Sequence, residues 1–175
     1  MLTNNYYAML VGMATNAPIP MKNYAGNDYY ACTGSSAAAL YNYLSTVVTS
    51  TNLTNTNTSP GVFFSENNDA PTKNDYQINP ITGLNVTCTR TFETIDGGGK
   101  CTAIYTITNT KTTEVTISKV GLYVKTSAKS SPTGTDIYAS IPMLMDTTLL
   151  DEPVTIPSGA VAQITYTISM TLPSA

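Results

Sequence analysis

The chain has 175 residues, of which 11% are charged, with eight basic side chains against eleven acidic ones and a net charge of −3. Its lysines are scattered at Lys22, Lys73, Lys100, Lys111, Lys119, Lys125 and Lys129, so no basic patch gathers to neutralise phosphates, and nucleic acid is not expected as a partner. Histidine and tryptophan are absent, which removes the base from any Ser-His or Cys-His catalytic set and leaves hydroxyls and amides to solvate the surface.

The opening stretch, TNNYYAMLVGMA, sets Thr3 or Asn4 as a helix N-cap ahead of Tyr7, Leu10 and Val11 at helical spacing, which predicts a short helix. The apolar run from Tyr6 to Ala14 falls short of the about 20 residues a bilayer requires, and Asn16, Pro18 and Pro20 follow it directly, so no membrane anchor is expected. No positive charge precedes the run, which fits a signal peptide poorly. Residues 35–48, SSAAALYNYLSTVV, carry Ala37, Leu40, Tyr41, Leu44 and Val48 at helical spacing but end in β-branched residues, leaving helix and strand both open. The Asn/Thr tract 49–61 has nothing to bury and reads as a loop or linker. Residues 1–60 are accordingly taken as an N-terminal appendage and linker, and residues 61–175 as a β-domain that buries its own core.

Strands are predicted at about 85–95, 101–109, 114–125, 137–145 and 161–172, separated by turn-forming segments such as DGGGK and PSGA. The last of them alternates cleanly, with Ile164, Tyr166, Ile168, Met170 and Leu172 against Thr165, Thr167, Ser169 and Thr171, as a half-buried strand requires. Within 114–125 the apolar phase slips by one residue between Ile117 and Val120, which predicts a β-bulge near Ser118–Lys119 with Gly121 relieving the bend. Short strands at this spacing, without alternating helices, predict a mainly β fold. The expected architecture is an antiparallel β-sandwich or jelly roll with a short N-terminal helical or extended appendage.

Cys32, Cys88 and Cys101 are an odd set and imply no disulfide framework. A turn at Asp96–Gly99 that pairs Ile95 with Lys100 would set Cys101 opposite Thr94 and leave Cys88 roughly 20 Å further along the strand. Disulfides need Cα atoms about 5.5 Å apart, so all three are read as reduced thiols. DGGGK opens no helix and is a hairpin turn, not a phosphate loop. The Asn/Asp-rich stretch SENNDAPTKNDY, from Ser65 to Tyr76, fits no calcium-loop spacing and reads as side-chain-capped turns. Asp146, Asp151 and Glu152 are likewise assigned to turns, not to a glycosidase pair. No catalytic residue, metal or cofactor is expected, and the chain is read as a non-enzyme.

Three segments resemble a class of small structural proteins of tailed bacteriophages: GVFFSENNDAPTKNDYQI (61–78), ISKVGLYVK (117–125) and LMDTTLLDEPVTIPSGAVAQITYTISM (144–170). The likeness lies in Pro71, Thr72, Asp75 and Tyr76, in Val120-Gly121-Leu122, in the turn motif from Leu150 to Gly159, and in the closing Thr165 to Ile168 strand. It departs from the class at Lys119, where an acidic residue is usual, and at Asp146–Thr148, which stand in place of a common arginine. The resemblance implies a virion component of head surface, neck, tail or fibre, made in the host cytoplasm and acting with other virion proteins, as a homo-oligomer and without membrane contact. Tyr6, Tyr7, Leu10 and Val11 are the candidate attachment or oligomer contacts, because tyrosines and an apolar stripe need a surface to cover them, either a partner subunit or the chain's own β-domain. A bacterial surface adhesin or pilus-type subunit is the alternative that the Thr/Asn-rich composition suggests.

Overall fold

The computed structural model describes residues 1–15, 17–31, 61–135 and 137–171. In chain order its elements are helix α1 (Asn4–Thr15) and strands β1 (Pro20–Lys22), β2 (Asp28–Tyr30), β3 (Gly61–Ser65), β4 (Leu84–Ile95), β5 (Gly98–Asn109), β6 (Val115–Lys129), β7 (Ile137–Ile156) and β8 (Val161–Thr171). The chain is mainly β, and all described strand pairing is antiparallel. The residues 35–48, the tract 49–60 and Cys32 lie outside the described residues.

The smaller sheet runs β4-β5-β8, and the alternation legible in the sequence sets its two faces. Val86, Ala103, Tyr105, Ile107 and Ile164 are buried, whereas Thr87, Thr89, Thr91, Thr165 and Thr167 are exposed. The β4–β5 reversal is tighter than expected: Ile95 pairs with Gly98, so Asp96 and Gly97 alone make the turn, with Gly97 at φ +68°. Asp-Gly satisfies a two-residue hairpin by itself, since glycine enters positive φ without a Cβ clash. This correction moves Cys101 opposite Phe92 and Cys88 opposite Tyr105, and both thiols are free.

In the larger sheet β6 is the spine, with β7 along one side and β3 and β2 along the other; β1 extends β2. The bulge predicted near Ser118–Lys119 is present, as a register shift between Ile117 and Lys119. Across from it, residues 150–153 of β7 find no ladder partner on β6, and Pro153, which has no N–H to offer, falls in that gap. The expected end of the strand at residue 145 is thus corrected: β7 continues through the Leu-Asp-Glu-Pro segment to Ile156. Strand β3, GVFFS, is buried at every position and so shows no alternation by which to find it.

The principal core joins the inner residues of the smaller sheet to Val62, Phe64, Ile117, Val120, Leu122, Val124, Met143 and Met145 of the larger one. The intervening neighbours in the larger sheet turn the other way. Phe63, Tyr123 and Leu144 form a second cluster with Ile78, in which the Tyr123 hydroxyl accepts the Ile78 amide at 2.9 Å. Phe63 and Tyr123 meet edge to face at 5.4 Å.

Part of the N-terminal segment packs against this core. Ala8, Met9, Met21 and Ala31 belong to the principal cluster, and Met9 is fully buried. Burying a methionine side chain stabilises by about 1.5–3 kcal/mol. Residues 1–31 therefore contribute to folding as well as to surface.

Candidate functional site

Helix α1 presents its faces in the reverse of the usual order. Large apolar residues at helical spacing normally face inward. Here Asn5, Ala8, Met9 and Gly12 are the buried positions, while Tyr7, Leu10 and Val11 are 52%, 40% and 46% exposed. The inner face is chosen by fit. A Cβ on Gly12 would stand 2.4 Å from the Ala31 Cβ, so only glycine lets the helix approach the chain there. Asn5 grips β1 through its backbone, with Nδ2 donating to the Lys22 carbonyl at 2.7 Å and Oδ1 accepting the Lys22 amide at 2.8 Å.

Thr3 precedes the helix, and its carbonyl accepts the amides of Tyr6 and Tyr7. Its hydroxyl does not cap the helix but donates to the Leu144 carbonyl on β7 at 2.6 Å. Residues 1–3 lie along the border of β7, with Leu2 opposite Asp146, the Thr3 amide donating to the Met145 carbonyl and the Thr147 amide donating to the Met1 carbonyl. The Asp146 carboxylate receives the Met1 ammonium at 3.0 Å, the Thr148 hydroxyl at 3.0 Å and the Tyr166 hydroxyl from β8. Burial pushes the Tyr166 phenol well above the ordinary tyrosine range, and the charge of Asp146 and its hydrogen bond add to the shift.

Three of the four expected contact residues, Tyr7, Leu10 and Val11, share the open face. Tyr6 is half-buried against the core and meets the Tyr7 ring edge-on at 5.6 Å. Met1 and Leu2 are also exposed, so five of the eight exposed large hydrophobics among the described residues fall within the first eleven positions. A polar cleft of 280 Å³ lies at the start of the helix, bordered by Asn4, Lys22, Asp28, Asn74 and Tyr76. In it Asn4 Nδ2 donates to Asn74 Oδ1 at 2.9 Å and Lys22 pairs with Asp28 at 2.7 Å, a hydrogen bond that raises the Lys22 pKa.

The acidic positions resolve differently from expectation. Asp146 sits inside β7 and is nearly buried, whereas Asp151 and Glu152 are exposed on the unpaired part of that strand; none is in a turn. The Asn/Asp stretch does form side-chain-capped turns, with Asp75 accepting the Thr72 amide at 3.1 Å and the Thr72 hydroxyl at 2.6 Å. Asn67 likewise accepts the Asp69 amide at 2.7 Å. Sequence reasoning missed Thr3, Asn5 and Asp146 as the groups that seat the N-terminus. A charged residue inside the apolar run MLMDTTLL was the available signal for the last. No described helix is long and apolar enough to cross a membrane, and among the described residues no three His, Cys, Asp or Glu side chains gather to hold a metal ion. No family model, curated protein or solved structure matches the chain.

Proposed function

We propose that the chain is a structural component of a tailed-bacteriophage virion, on the head surface, neck or fibre, that works through protein–protein contacts and not through catalysis. The observation that carries this reading is the outward apolar face of α1, with Tyr7, Leu10 and Val11 exposed beside Met1 and Leu2. The other exposed large hydrophobics, Phe92, Ile104 and Val161, are dispersed over the smaller sheet. Clustered apolar exposure fits a surface that a neighbouring subunit covers. The segments 61–78, 117–125 and 144–170, through their resemblance to phage structural proteins, supply the class of that neighbour: other virion proteins. The two sheets are read as the layers of a β-sandwich, a reading supported by a core that draws on both.

Mass spectrometry of gradient-purified particles, with antibody labelling by electron microscopy, tests the proposal. The expected result is the chain at fixed stoichiometry in particles and label at one structural position. Absence from purified particles overturns it. Label on intact, uninfected bacteria would favour the adhesin or pilus-type reading instead.

A further inference from the structure

We infer that the open edge of β8 is a self-association surface, at which a second copy of this chain pairs antiparallel across a two-fold axis. β8 borders the smaller sheet and, among the described residues, forms a ladder with β5 alone. An unpaired strand edge is a template for another strand unless something blunts it. Among the described residues the other borders are short, charged or covered in part. β1 and β3 have three and five residues. β7 is covered at Met145–Thr147 by Met1–Thr3, and β4 carries Arg90 and Glu93. β8 reads VAQITYTISMT over eleven residues, with no charge and no proline, and its register with β5 runs unbroken from Val161 to Thr171. No bulge turns this edge away from a neighbour.

The strand is also self-complementary. Residues directly opposite in an antiparallel pair share a face of the sheet. An axis through Tyr166 sets Thr165 opposite Thr167 of the second copy, Ile164 opposite Ile168, and Gln163 opposite Ser169. Apolar then meets apolar on the inner face, hydroxyl meets hydroxyl or amide on the outer face, and no like charges are opposed. Tyr166 and Ile168 pack against the core yet remain partly exposed, because among the described residues the sheet ends at β8 beside them. A further strand covers both. Pairing of this kind doubles the three-stranded sheet and gives a surface to the homo-oligomer that the resemblance implies, without requiring that the assembly be a virion.

Light scattering on the full-length chain across a concentration series tests the inference, with circular dichroism as the folding control. The wild-type chain should reach twice the chain mass of 18.6 kDa. Thr165→Lys with Thr167→Lys, both at exposed positions, opposes like charges twice and should raise the concentration of half-dissociation at least about tenfold. Thr165→Lys with Thr167→Glu opposes unlike charges in the same register and should restore the dimer. Hydrogen exchange of the wild-type chain adds a readout that needs no variant: dilution should release protection along β8 while the amides of β5 stay protected. A wild-type monomer at all concentrations overturns the inference, including one whose β8 edge is protected by its own chain. So does a dimer indifferent to the double-lysine change, or β8 protection that does not depend on concentration.

Discussion

The hydroxyl of Tyr166 on β8 donates to Oδ2 of Asp146 on β7, so one carboxylate joins the two sheets. The same carboxylate receives Thr148 and the Met1 ammonium, each at 3.0 Å. Asp146→Ala leaves these donors without their acceptor and should cost about 2–4 kcal/mol, whereas Tyr166→Phe removes one donor and should cost about 1–2 kcal/mol. The double variant should fall short of the sum, because both changes break one shared bond. Urea denaturation of the three variants measures each value.

Alkaline pH should unfold the chain in step with tyrosine ionisation. Burial holds the phenols of Tyr105, Tyr123 and Tyr166 above the ordinary range, so they stay protonated in the folded state where the unfolded chain would already have lost those protons. A raised folded pKa leaves stability whole below the unfolded value of about 10 and erodes it as pH rises beyond that point. Each group contributes a slope of about 1.4 kcal/mol per pH unit, and the three together about 4. Ultraviolet titration should show at least three of the twelve tyrosines ionising only as circular dichroism is lost.

Gly12→Ala should destabilise, against the helix-propensity expectation. On an open helix the change stabilises by about 1 kcal/mol. At Gly12 the new methyl would meet the Ala31 Cβ at 2.4 Å and the Ala31 carbonyl carbon at 3.3 Å, and backbone cannot yield as a side-chain tip can. Overpacking of this kind costs about 1–3 kcal/mol. A lowered melting temperature is the expected outcome.

Asn109 ties two turns at one end of the fold. Its Nδ2 donates to the carbonyls of Thr113 at 2.8 Å and Ile156 at 3.0 Å, and its Oδ1 accepts the Lys111 amide at 3.0 Å. The residue is fully buried, so Asn109→Ala strands these groups away from water. A loss of about 2–4 kcal/mol is expected by chemical denaturation.

Serine at Tyr7, Leu10 and Val11 together should change stability by no more than about 0.5 kcal/mol per site, since all three are exposed. Binding to a partner surface should be lost. A triple variant that melts well below the wild type would assign the stripe to the core instead.

Local alternation made β8 and the bulge beside Ser118 legible, because each is half-buried and a slip of one residue changes the exposed face. β3 was not legible: with both faces covered, its five residues carry no period. The stripe at Tyr7, Leu10 and Val11 could be found by spacing, but its direction could not, because what decides it is Gly12 against Ala31 and Asn5 against Lys22. Asp146 was misplaced in a turn for a related reason. Its partners Tyr166 and Met1 lie far along the chain on either side, and no local pattern signals a pairing of that range.

The seating of Thr3 on the Leu144 carbonyl spans 141 positions of sequence, and this sets an order of events during synthesis. Helix α1 emerges long before β7, the strand that receives Thr3. Contacts of such separation form late and slowly, after loop-closure entropy has been overcome. The nascent chain therefore carries the apolar stripe of α1, with its inner face held by β1 and Ala31 alone, until β7 arrives to receive Thr3.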